Sequence, residues 1–154
     1  KWTCLTSTFG MMELLDNEQD DTFLTTSLSK RKEFNEIFRT RFNRELEGAE
    51  FEQVRKTINN FLMTYPHIKF VNIDNEGWKL ALEISSNSNI FAPDAIHLAA
   101  AWTNDADLLI TSDKHFLSES KKLLEKEKKW SKMRVSSPEK VKDELKGLKF
   151  GGLP

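Results

Sequence analysis

Hydrophobic and polar positions divide the chain into short apolar stretches and longer stretches with helical spacing. Residues 1–7 (KWTCLTS), 67–73 (HIKFVNI), 107–111 (DLLIT) and 133–137 (MRVSS) read as strands. Residues 8–17 (TFGMMELLDN) read as a helix with Ser7 or Thr8 as N-cap. Phe9, Met11, Met12, Leu14 and Leu15 spread around most of that helix, which predicts that it is buried and sets Glu13 beside Phe9. The polar run that follows, through Ser29, reads as loop or frayed helix.

Phe34, Ile37, Phe38, Phe42 and Leu46 then repeat at helical spacing, with Gly48 as a C-terminal stop. Phe51, Val54, Ile58, Phe61, Leu62 and Tyr65 form a second amphipathic series that Pro66 ends. The short connection between them predicts a helical hairpin. Asp74 is placed as the N-cap of a helix with Trp78, Ala81 and Leu82 on one face, and residues 85–89 (SSNSN) as a turn-rich break. A helix over 93–103, a turn at Asn104–Asp105, a charged helix over 121–130 and a terminal helix with Pro138 in its first turn complete the chain. Alternating strands and helices predict an α/β fold with a short, mostly parallel sheet flanked by helices. A single domain over residues 1–146 and a mobile tail over 147–154 are expected.

Composition narrows the function classes. Hydrophobic residues make up 38% of the 154, with 11 Phe and 4 Trp, enough to build a core. The 23 basic and 24 acidic side chains leave a formal net charge of −1, so any nucleic-acid role must rest on local patches. One cysteine, Cys4, excludes an internal disulfide and fits a reducing compartment. No apolar run has membrane-spanning length and no signal peptide opens the sequence. The expectation is a cytoplasmic protein with no membrane partner.

Two aspartates stand at the edges of apolar elements. Asp94 follows Pro93 at the start of an apolar helix, and Asp113 stands just past the carboxyl end of strand 107–111. Each has an ordinary structural reading: Asp94 complements a helix dipole, and Asp113 suits a turn or an N-cap. Glu13, on an apolar helix entered from the first strand, needs a partner. In open parallel sheets ligands gather beyond the carboxyl ends of strands, so these three acids are candidates for one site. Clustered carboxylates repel unless a cation offsets them; oxygen donors suit Mg²⁺ or Mn²⁺, and the lack of a Cys/His set argues against zinc. Such a cation activates water and braces a scissile phosphate, the chemistry of many nucleases. His97, three residues after Asp94, fits packing or hydrogen bonding better than metal ligation. Asp-x-Asp after a strand and a glycine-rich phosphate loop are both lacking, which disfavours a phosphatase or phosphoacceptor.

Together, LTSTFGMMELL (5–15), PDAIHLAAA (93–101) and ADLLITSDKHF (106–116) resemble the PIN-domain family in order and spacing, and MRVSSPEKV (133–141) is similar to the strand and helix that close that fold. The resemblance implies a three-layer α/β/α fold and a metal-dependent endoribonuclease, many bacterial members being VapC-like toxins held by an antitoxin. By motif position it implies Glu13, Asp94 and Asp113 as catalytic metal ligands for Mg²⁺ or Mn²⁺, with Thr111 and Ser112 orienting the last acid. Lys114 and His115 are candidate RNA contacts, with a plain surface role as the alternative. PIN domains begin with a central strand ending in an aspartate, which nothing before Lys1 supplies. The expectation is a parent protein that carries that strand and a fourth acid, and a catalytically silent RNA- or protein-binding module is the alternative function.

Basic runs at Lys30, Arg31, Lys32, Arg39, Arg41 and Arg44, and at Lys121, Lys122, Lys126, Lys128 and Lys129, read as solvated faces that could guide RNA. Phe23, Leu24 and the hairpin edges are candidates to seat an antitoxin or a second subunit in a homodimer.

Overall fold

The computed structural model describes residues 3–127 and 132–147, and divides after Phe70 into two compact units. Lys1, Trp2, the end of the expected helix at 128–131 (Lys128 and Lys129 with it), and the expected tail over 148–154 lie outside the described residues. The α/β class expected from the alternation of elements is what the chain adopts, and it is rich in helix.

In the first unit, β1 (Cys4–Ser7) leads into α1 (Thr8–Ser29). A short α2 (Phe34–Thr40) tightens into a 3-10 turn (Arg41–Asn43), and α3 (Gly48–Thr64) and β2 (Ile68–Val71) follow, β2 pairing with β1. Ser7 caps α1 by accepting from the Gly10 amide at 2.9 Å. The polar stretch Asn17–Ser29 is helix, not loop, because tertiary contacts outweigh its weak propensity. Asp16 and Asp20, one turn apart, receive Arg44 and Arg41, and Phe23 and Ser27, one turn apart again, are buried. Burial around the whole first half of α1 does not occur: Met12 and Leu15 are exposed.

The aromatic hairpin also differs from expectation. It is α1 that packs against α3, with α2 lying between them in sequence. Of the α2 residues only Ile37 is buried, while Phe34, Phe38 and Phe42 stand in solvent. Gly48 opens α3 instead of ending a helix, because Glu47 and Glu50 form a capping box there; the Glu47 amide donates to Glu50 Oε2 at 2.6 Å. The first basic run is largely neutralised: Lys30 lies against Glu47 and Glu50, Lys32 against Glu36, Arg41 against Asp20 and Arg44 against Asp16. Phe23 belongs to the core of this unit and offers no docking surface.

The second unit contains α4 (Asn75–Asn87), α5 (Ala92–Thr103), β3 (Leu108–Ile110), α6 (Lys114–Lys126), β4 (Arg134–Ser136), a 3-10 turn (Pro138–Lys140) and α7 (Val141–Gly147). Asp74 caps α4 as expected, accepting from the Gly77 amide at 2.8 Å. The buried face of α4 is Gly77, Ala81 and Ile84, whereas Trp78 and Leu82 are exposed, because the helix is turned to lay its smallest side chains against α5. A Cβ on Gly77 would come within 2.5 Å of Ile73 Cγ1, so only glycine permits that approach. The expected break at Ser85–Asn89 begins later, since α4 runs to Asn87.

Ala95, Leu98 and Ala99 of α5 are fully buried, and with Ala81, Ile84, Ile90, Phe116, Met133 and Val135 they make the core. The helix ends in a Schellman turn: the Ala106 amide donates to the Ala101 carbonyl at 2.9 Å and Asp105 to Trp102 at 3.1 Å, with Asp105 left-handed at φ 52°. Strand β3 then pairs in parallel with β4, Leu109 opposite Val135, across the α6 crossover.

Ser120 is fully buried on α6, and its hydroxyl has no hydrogen-bond partner among the described residues. A buried unsatisfied hydroxyl opposes folding, so Ser120→Ala is expected to raise stability by about 1 kcal/mol. A thermal melt by circular dichroism reads this as a midpoint higher by about 3 °C; a lower midpoint refutes it.

The Arg41 guanidinium hydrogen-bonded to Asp20 holds that carboxyl below its usual range, against some opposing desolvation. A depressed carboxyl stabilises the folded state above its unfolded value of about 3.9, and that contribution is lost as pH falls through the folded value. Asp20→Asn is therefore expected to flatten the acid limb of stability below about pH 4, measured by urea unfolding at stepped pH, and an unchanged limb contradicts the assignment.

Candidate functional site

Strand β3 ends at Ile110, and the parallel ladder continues one bond further, from the Thr111 amide to the Ser136 carbonyl at 3.0 Å. Thr111 Oγ1 then accepts from the Asp113 amide at 3.1 Å, which turns the chain out of the sheet. Asp113 is the N-cap of α6: its Oδ1 accepts from the Phe116 amide at 2.7 Å, and Phe116 is anchored in the core. One carboxylate oxygen is thus used by the helix end, while Oδ2 lies outside the cap on an exposed residue. Ser112 beside it is exposed.

Asp94 occupies the first turn of α5, three residues after the N-cap Phe91 and directly after Pro93. It is half-buried, because its neighbour Ala95 is drawn fully into the core. Both aspartates therefore sit at helix N-termini, where the backbone dipoles favour negative charge. His97, one turn along α5, is half-buried.

The two helix starts are tied together by His115, which the sequence offered as an RNA contact, and by residues that sequence reasoning did not single out. His115, in the first turn of α6, donates through Nε2 to the Asn89 carbonyl at 2.8 Å. Its ring also lies on Phe91, centroids 5.0 Å apart and planes tilted by 34°. Glu119, one turn on, bonds the Asn89 side chain, and its carboxyl is held below the usual range chiefly by Lys122, with smaller help from His115 and Asn89. His115 is thus committed to the loop before α5. Lys114 is exposed near Glu139, whose carboxyl is held low first by a Ser137 hydrogen bond. An aromatic residue two before a proline was the only signal for Phe91, and nothing in the pattern singled out Asn89 or Glu119.

Glu13 lies in the second turn of α1, half-buried, in the first unit, whereas Asp94 and Asp113 lie in the second. Among the described residues, neither unit on its own gathers three or more His, Cys, Asp or Glu side chains into a group that could hold a metal ion. Also among the described residues, no helix is long and apolar enough to cross a membrane.

A family model, the PIN domain, matches residues 33–122, more than half of the chain, so the chain belongs to the PIN-domain family. The matched segment includes Asp94 and Asp113; Glu13 precedes it. No curated protein and no solved structure matches the chain. PIN domains are in general nucleases that use divalent metal ions.

The geometry separates the capping role of Asp113 from the role of its charge. Asp113→Ala is expected to cost about 1 kcal/mol through loss of the cap, and Asp113→Asn only a few tenths, since an amide oxygen caps nearly as well. Urea unfolding of the two variants checks this, and equal losses contradict it.

Proposed function

We propose that the chain is a metal-dependent endoribonuclease, hydrolysing RNA phosphodiester bonds with Mg²⁺ or Mn²⁺, with Asp94 and Asp113 as metal ligands and Glu13 proposed as a further acidic ligand on its motif position alone. The observation that carries this reading is the placement of Asp113 within the PIN match. Its position is set by the sheet through Thr111 and by the core through Phe116, with one oxygen left over. Hard carboxylate oxygens suit these ions, which retain several waters and need only one or two protein carboxylates besides substrate phosphate. When bound, the cation supplies Lewis-acid charge that lowers the pKa of water and offsets phosphate charge.

The chain's own groups have distinct tasks. Thr111 turns the chain at Asp113, Ser112 is proposed to help orient that acid, and the His115–Asn89–Phe91 contact keeps the start of α6 against the start of α5. Lys114 and the exposed lysines of α6, Lys121 and Lys126, offer charge to the RNA backbone. A cytoplasmic toxin restrained by an antitoxin is the setting proposed for this activity. Expression of the chain then arrests growth, and expression of Asp94→Asn does not.

The second reading is a PIN-like module that binds RNA or protein without cleaving. It is favoured by the fact that, among the described residues, neither unit alone gathers three acids.

Incubation of the full chain with structured RNAs in Mg²⁺ or Mn²⁺, with and without chelator, tests both. Cleavage abolished by chelator and reduced about a hundredfold or more in Asp94→Asn and Asp113→Asn, a barrier increase of about 2.7 kcal/mol, is the expected result. Undiminished cleavage by Asp94→Asn sinks the metal site. RNA binding without cleavage across the set favours the silent module.

A further inference from the structure

Phe91 opens α5 at a position that its residue type does not suit. It is the N-cap of the helix, where Ser, Thr, Asp or Asn is preferred, and its side chain makes no capping hydrogen bond. Burial does not account for it either, since it is 66% exposed. Its backbone is nevertheless fixed: Ile90 before it lies in the core, and its carbonyl accepts from the amide of fully buried Ala95 at 2.8 Å.

The ring is braced as well as exposed. His115 lies against it, centroids 5.0 Å apart and planes tilted by 34°, and His115 is itself held by the Asn89 carbonyl at 2.8 Å. Phe91 is thus an aromatic surface whose orientation is set before any ligand arrives, which lowers the ordering cost of binding. Both rings also stand beside the two acids in the chain. Phe91 precedes Asp94 by three residues, about 4.5 Å of helix rise, and His115 follows Asp113 by two.

Size and charge select the occupant. At about 200 Å² for a fully exposed ring, the open part of Phe91 amounts to about 130 Å². That is far below the roughly 800 Å² that each partner gives to a standard protein interface, but it suits the face of one nucleobase. A base stacked on an aromatic ring also needs cations nearby for its phosphates. Lys114 and Lys121, seven residues and so two turns apart along α6, are both exposed, although Glu139 offsets part of the Lys114 charge.

We infer that Phe91, backed by His115, is the base-stacking residue of this site. A nucleobase next to the scissile phosphate lies on the ring, and the ring thereby sets which phosphodiester meets Asp94 and Asp113. The inference rests on the reading of these acids as an RNA-cleaving site and adds a specificity-determining contact to it. Stacking uses the π-face common to all bases, so the contact demands an unpaired base and not a particular sequence.

Oligouridylates that each carry one 2-aminopurine test the contact on the full chain, in chelator so that the strand stays intact. Stacking on Phe91 is expected to quench the 2-aminopurine fluorescence on binding, with the quench kept in Phe91→Tyr and lost in Phe91→Leu. Phe91→Ser also loses it, and since serine is the better N-cap, that variant retains the start of α5 should Phe91→Leu fail to fold. In Mg²⁺ or Mn²⁺, kcat/KM for a strand with a base at the quenched position exceeds that for the abasic strand about tenfold, and the two variants without an aromatic ring erase the difference. A 2-aminopurine quench that is absent, or equal in the wild-type chain and the variants without an aromatic ring, overturns the inference whether or not the chain cleaves RNA. Equal cleavage of base-bearing and abasic strands by the wild-type chain overturns it too, and leaves the nuclease reading standing. Ring-dependent quenching without cleavage upholds the stacking contact and overturns the nuclease reading alone.

Discussion

The burial of one face of α5 is the constraint on which the second unit depends. Ala95, Leu98 and Ala99 have no solvent exposure, and their small size on two of three positions lets α4 approach, with Ala81 and Ile84 in the same core. The rest of the core, from Ile90 through Phe116 and Met133 to Val135, closes on that helix. The position of Asp94 follows directly, one residue before Ala95 and unable to move without disturbing the packing. Asp113 is held less directly, by a cap whose helix is pinned through Phe116 and by a turn that hangs from the β3–β4 ladder.

This arrangement gives both acids an ordinary local role. A carboxylate at a helix start is favoured by the dipole, and Asp113 is oriented by the Phe116 amide. Asp113 spends one oxygen on that role. The contact of His115 with Asn89 and Phe91 then couples the two helix starts, so the capping network and the proposed site share residues. Any substitution there needs separate readouts for stability and for cleavage.

The first unit relies more on charge. Helix α1 is weak by propensity in its second half, and it persists because Asp16 and Asp20 meet arginines from the segment after α2, while Phe23 and Ser27 pack inward. These ion pairs engage Arg41 and Arg44, two members of the basic run expected to guide RNA. The same segment leaves its aromatic side uncovered.

Strands and helices in the second unit were legible because local signals agreed: Asp74 before a helix, Pro93 in a first turn, Asn104–Asp105 at a helix end, and a continuous apolar run at 107–111. The two aspartates of the proposed site stood out for the same reason, since caps and strand ends are local features. The faces of α2 and α4 were not legible, because periodicity shows that a stripe exists but not whether a partner covers it. Nor was the contact of α1 with α3, or the ion pairs, 21 and 28 residues apart in sequence, that join α1 to the segment after α2. By itself the sequence determined the element types, the helix caps and the residues at which acids meet backbone amides, all set by interactions within a few residues. The tertiary structure decided which apolar stripes are buried, which cations are already paired and how His115 ties α6 to the start of α5, because each depends on groups that only folding brings together.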